Sequence, residues 1–109
     1  MAALLVLTNC PDEATANALA LAVLEDKLAA CVNLLPSIQS VYRWRGAIES
    51  AVEIPLLIKS TAANYPALEA KIRELHPYDV PEIIALPITH GLPAYLDWLS
   101  AETRQDPCA

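Results

Sequence analysis

Apolar positions fall along this chain in two rhythms, short unbroken runs and a step of four. Residues 2–7 are apolar without interruption, which suits a central strand buried on both faces. Thr8-Asn9-Cys10-Pro11-Asp12-Glu13 then announces a helix. It offers polar cap candidates, a proline suited to the first helical position and two acids for the positive end of the dipole. Ala16, Ala20, Leu24 and Leu28 recur at helical spacing, flanked by Leu21 and Val23, and predict a buried stripe running to residue 29 or 30.

From residue 31 the rhythm shortens. Val41, Tyr42 and Trp44 are strand formers, answered after a turn by Ile48, Val52 and Ile54. Gly46 takes positive φ most readily, so the chain should reverse at Arg45-Gly46-Ala47. Each arm of this hairpin can reach about 14 residues, far beyond the usual strand length of ~5–6. Pro36 and Pro55 each mark a bend or an edge within their arm. Asn64-Tyr65-Pro66 opens a second helix with Leu68, Ile72 and Leu75 on its core face, and Pro77 should stop it near His76. A turn-rich connection follows, then a strand over residues 82–88. Gly91-Leu92-Pro93 begins a last short helix whose apolar face is Tyr95, Leu96, Trp98 and Leu99.

The order β-α-β-β-α-β plus a terminal helix predicts an α+β, ferredoxin-like sandwich with a long central hairpin. Its helices cover one sheet face, so its strands should alternate apolar and polar. Residues 2–7, 54–58 and 83–86 are instead apolar on both parities. The second face must also be buried, and other copies of the chain are the expected cover. A hairpin overhanging the sheet with aromatic residues points the same way.

Composition narrows the function. The 109 residues suit one domain, placed at 1–102, with a disordered tail over 103–109. Hydrophobic residues make up 55% and mean hydropathy is +0.34, yet no run approaches the ~20 residues of a membrane helix. The apolar N-terminus has no basic leader and reads as a strand rather than a signal peptide, so a cytoplasmic protein is expected. Net charge is −6 and the seven basic residues are scattered, which argues against nucleic acid as a partner. Cys10, Cys31 and Cys108 lack the spacing of a disulfide framework or a zinc site.

At this point the chain resembles the CutA family of divalent-cation tolerance proteins, from about Leu4 to Trp98. The resemblance is carried by Pro11-Asp12-Glu13, Ala29-Ala30-Cys31, the run Ser40, Tyr42, Trp44, Gly46, and Glu53 with Lys59. His76-Pro77-Tyr78, Pro81-Glu82, Thr89-His90-Gly91 and the Tyr95/Trp98 pair complete it. It implies a tight homotrimer whose hairpins form sheets between subunits, similar in this to the PII signalling proteins. It also implies a link to tolerance of copper and other divalent metals, with binding of Cu(II) as the expected cofactor chemistry.

Candidate chemistry is sparse. The resemblance singles out His76 as a metal ligand, since neutral imidazole suits Cu(II); the alternative is that it caps the second helix and braces the turn. His90 ranks below it. Cys31 is the second metal candidate, with a buried, inert thiol as the alternative reading. Cys10 sits just before a helix start, where a thiol pKa would fall. Glu53 and Lys59 lie ~20 Å apart along one strand, so they are expected to line a cleft between subunits with Tyr78, Glu82 and Trp98. Tyr42 and Trp44 are expected interface anchors. An acylphosphatase-like site is disfavoured because the loop after the first strand has no arginine or glycine, and no serine sits in a hydrolase elbow. A non-enzymatic, metal-binding trimer is therefore expected. The alternative is a PII-like signalling or scaffold trimer, holding a small anion or an unidentified protein partner with Lys59, Arg43 and Arg45.

Overall fold

The computed structural model describes residues 2–105 of the chain. Strand β1 (Ala3–Cys10) leads into helix α1 (Glu13–Glu25), followed by β2 (Cys31–Leu34), β3 (Ile38–Trp44) and the 15-residue β4 (Ala47–Thr61). Helix α2 (Tyr65–Leu75), β5 (Ile83–Pro87) and α3 (Pro93–Ala101) complete it. The strands form one antiparallel sheet in the order β2-β4-β1-β5, with β3 paired to β4 beyond the end of β2.

Register decides which residues share a face. Val6 stands opposite Ile58 and Ala85, while Leu5 stands opposite Lys59 and Leu86. The Val6 parity faces α1 and α2, and its Val6, Cys10, Ile54, Leu56 and Ile58 pack with Leu19, Val23, Leu68 and Ile72. That is the core. Leu5, Leu7, Leu57, Ile84 and Leu86 occupy the other face. Helix α3 packs on β1 and β4, with Leu99 fully buried. Its Tyr95 lies beside Cys31, which pairs opposite Lys59, so α3 covers one end of that second face.

Several sequence expectations are corrected. β1 continues to Cys10, so Pro11 stands before the helix; Asp12 is the cap, its carboxylate accepting from Thr15 N at 2.7 Å. α1 ends at Glu25 and not at residue 29 or 30. Lys27 takes φ of 56°, while its N–H bonds Leu24 and that of Leu28 bonds Val23. This is a Schellman closure with lysine where glycine is usual, which is why no sequence signal marked it. The buried stripe is Ala16, Leu19, Ala20 and Val23; Leu21 and, in α2, Leu75 are exposed.

Pro55 does not break its arm. It lies where pairing with β3 ends at Glu53 and pairing with β2 begins at Leu56, so its missing N–H costs the ladder little. Pro36 does interrupt the first arm, between β2 and β3. The hairpin turns on Arg45 and Gly46, both with positive φ, as a two-residue primed turn requires. The expected tail disorder fails at its start: Thr103 is buried, and Arg104 bonds the carbonyls of Asp26 and Lys27 at 2.8 Å each. Those bonds place a cation at the C-terminal end of α1, which has no basic residue in its own last turn. The expectation for residues 106–109, including Cys108, lies outside the described residues.

Candidate functional site

β4 carries the candidate residues to two separate places. At its middle, where the hairpin leaves the sheet, Glu53 is only 8% exposed. The Tyr78 hydroxyl donates to its Oε2 at 3.1 Å. Tyr78 is held there by the turn after α2, which His76 braces. The His76 Nε2 meets the carbonyl of Asn9 at 2.6 Å, and its Nδ1 meets the Tyr78 N–H at 3.2 Å. A carbonyl only accepts and an amide N–H only donates, so the ring is the neutral tautomer with its proton on Nε2. The His76 and Tyr78 rings lie 4.7 Å apart between centroids.

A cavity of about 760 Å³ opens on this group. Glu49, Glu53, Asp79 and Glu82 line it, with Arg45 as the single cation among its lining residues. Tyr42, Trp44 and Tyr78 supply its aromatic walls. Burial first, and then the Glu53 carboxylate, push the Tyr78 phenol up to about 12. Cys10 is also here, fully buried. Its thiol is pushed up to about 11 by burial and then by Asp12 and Glu53. That reverses the expectation of a lowered pKa: the helix begins three residues later, and the thiol points into the core.

The second place is at the inner end of β4. Lys59 stands opposite both Leu5 and Cys31, and its ammonium is held by the Asn33 side chain. Tyr95 lies beside Cys31, with Trp98 5.5 Å from it between ring centroids. Thus Lys59, Cys31 and Trp98 group together, as do Glu53, Tyr78, Glu82, Tyr42 and Trp44. Six residues of unbroken strand keep Glu53 and Lys59 ~20 Å apart within one chain.

The metal candidates are not brought together. His76 sits at the level of Asn9 and Cys31 at the level of Leu5, ~13 Å along the sheet. Both ring nitrogens of His76 are already engaged, so as placed it braces the turn and offers no lone pair to an ion. Among the described residues no three His, Cys, Asp or Glu side chains converge on a point where a metal could sit. Exposed His90 pairs with its neighbour Thr89 at 3.0 Å. Sequence reasoning missed Glu49 and Asp79 as members of the cavity; the i and i+4 spacing of Glu49 and Glu53 along one strand face was the available signal.

Comparison with known proteins fits this architecture. The family described as CutA1 divalent ion tolerance protein matches residues 4–102. The divalent-cation tolerance protein CutA of Thermus thermophilus is 47% identical over 98 residues, spanning 90% of this chain and 95% of its own. That of Citrobacter koseri is 46% identical over 102 residues, 94% of this chain and 89% of its own. A crystal structure of CutA1 from Oryza sativa superposes with a TM-score of 0.94 at 40% identity, covering 97% of each chain.

Proposed function

Because the chain belongs to the CutA1 family of divalent ion tolerance proteins, we propose that it is a homotrimer holding Cu(II) or a related divalent ion between copies. The observation that carries this reading is the uncovered apolar surface. On the hairpin, Val41, Ile48 and Val52 are 67%, 72% and 65% exposed, and on β5 Ile84 and Leu86 are about half exposed. Surface of that kind on a lone chain marks an interface. The strand order, with two helices on one face, supports a ferredoxin-like subunit.

A ring of three needs two different, complementary patches on each copy. The two ends of β4 are such patches, one acidic and aromatic, the other carrying Lys59, Cys31 and Trp98. Around a threefold axis, the Lys59 and Trp98 end of one copy flanks the Glu53, Tyr78 and Glu82 cavity of the next. The donors among the described residues of one chain do not fit a discrete Cu(II) site, so on this reading a second copy completes it. The carboxylates favour cations by charge alone.

An anion-binding signalling trimer finds less support. It needs Arg43, Arg45 and Lys59 on one cavity, yet only Arg45 lines it, against four carboxylates. Native mass spectrometry with about one Cu(II) per chain tests the proposal. A trimer carrying a whole number of coppers is the expected result. A metal-free trimer sinks the metal reading alone, and a monomer sinks both parts.

A further inference from the structure

Three stretches far apart in sequence meet just past Thr61, where β4 ends. The first is the close of α1, where the carbonyls of Asp26 and Lys27 lie beyond the reach of the helix's own N–H groups. The second is Asn64, between β4 and α2. The third is the segment after α3, and its Arg104 joins all of them. The Arg104 N–H donates to the Lys27 carbonyl and its Nε to the Asp26 carbonyl, at 2.8 Å each. Its own carbonyl accepts from Asn64 Nδ2 at 3.2 Å. One residue earlier, the buried Thr103 hydroxyl donates to the carbonyls of Leu99 and Ser100 at 3.2 and 3.1 Å. Gln105 Nε2 donates to the carbonyls of Ser100 and Thr103.

These bonds pass from one layer of the fold to the other. α1 and α2 cover the Val6 face of the sheet, while α3 packs on β1 and β4 at one end of the opposite face. Arg104 therefore ties the helix on one face to the helices on the other, around the end of β4. Asn64 adds an independent observation. It is 1% exposed, and its Nδ2 donates to Thr61 Oγ1 at 2.8 Å as well as to Arg104. Its Oδ1 finds no partner among the described residues. A buried oxygen left unpaired is costly, so this amide leaves one bond unmade while holding Thr61 and Arg104. α3 itself has nine residues, and Leu92 at its start gives it no side-chain cap. A helix of that length is marginal alone, so its order depends on packing around the fully buried Leu99 and on the segment that follows it.

We propose that residues 103–105 are a strap that couples the two helical layers. α3 and the close of α1 then open and close as one unit, while the sheet between them stays formed. Coupling of this kind is reciprocal, so what loosens α3 loosens the end of α1, and the reverse. Its consequence falls on the Lys59 end, to which α3 brings Tyr95 and Trp98. The inference needs neither a metal nor an assembly. Every bond of the strap lies within one chain, and none is made by a residue of the hairpin cavity or of the Lys59 group.

Native-state amide hydrogen exchange of the full chain, read residue by residue, tests it. Arg104→Ala removes a charged donor from the α1 side only. The amides of Asp26 and Leu28 should exchange at least about tenfold faster, and those of residues 96–101 in α3 should quicken severalfold with them. Thr103→Val keeps the side-chain shape and removes the donor on the α3 side; it should quicken the same two groups, and it carries the test should Arg104→Ala fail to fold. Lys71→Met removes the ion pair to Asp26 from the α2 side and should leave the α3 amides within about twofold of wild type. Unchanged exchange in α3 with Arg104→Ala overturns the proposal, because Arg104 is then a helix cap and nothing more. Quickening of Val6 and Ile58 to the same degree also overturns it, since that marks unfolding of the whole chain. So does an equal effect of Lys71→Met on α3, which would show that loosening of α1 reaches α3 without the strap.

Discussion

The two halves of β4 belong to one uninterrupted strand and live in different environments. Residues 54–61 run between β1 and β2, with α1 and α2 over one face, and Ile54, Leu56, Ile58 and Ser60 are buried. Residues 47–53 have only β3 beside them, and Ile48 and Val52 stand in solvent. Apolar character alone therefore does not make a core. Burial needs cover from a second layer, and beyond Glu53, which Tyr78 covers, the outer half has none among the described residues. The inner half contributes stability to the fold, whereas the outer half leaves apolar surface exposed, on which the proposed assembly rests.

That contrast breaks most sharply under substitution. Ile58→Ala removes a fully buried side chain from the core and should cost about 2–5 kcal/mol, read as a lower urea midpoint at every protein concentration. Trp44→Ala, on β3 beside the outer half, should instead cost about 2 kcal/mol per interface. Its signature is a shift to smaller species in sedimentation at micromolar protein. If Trp44→Ala stays fully trimeric and equally stable, the hairpin is not the interface.

The smallest effect sits at the seam between the halves. Tyr78→Phe removes the hydroxyl that Glu53 accepts and should cost about 1.5 kcal/mol. It should also change the pH profile. The folded phenol is pushed up to about 12 from an ordinary value of 10.0, so over that interval the unfolded chain loses a proton that the folded chain keeps. Wild-type stability should therefore fall as pH rises from about 10 to about 12, and the Phe variant should lack that part of the slope. Alkaline unfolding followed by tyrosinate absorbance checks it. An identical slope in both proteins would place the shifted phenol elsewhere.

The fold was largely legible because its signals are local. The alternation of strands and helices (apart from the split of the first arm into β2 and β3), the reversal at Arg45-Gly46 and the stop before Pro77 each depend on a few adjacent residues. Errors fell where distant chain segments decide. α1 stops at Glu25 through backbone closure at Lys27, with Arg104, 78 residues after Asp26, bonding its end. The disorder expected from residue 103 fails for the same reason. Of the site, Glu53, Tyr78 and Glu82 were named together in advance, whereas Glu49 and Asp79 entered only through the cavity.

By itself the sequence determined the elements, their order and the presence of more apolar strand than one chain can cover, because period, turn chemistry and parity are written residue by residue. Only the tertiary structure decided that His76 spends both ring nitrogens on Asn9 and Tyr78, that the Cys10 thiol is buried and raised, and that Glu53 shares a cavity with three other carboxylates and Arg45. Those outcomes depend on which side chains the sheet register and the turn after α2 set side by side, and a protonation state follows from its neighbours in space.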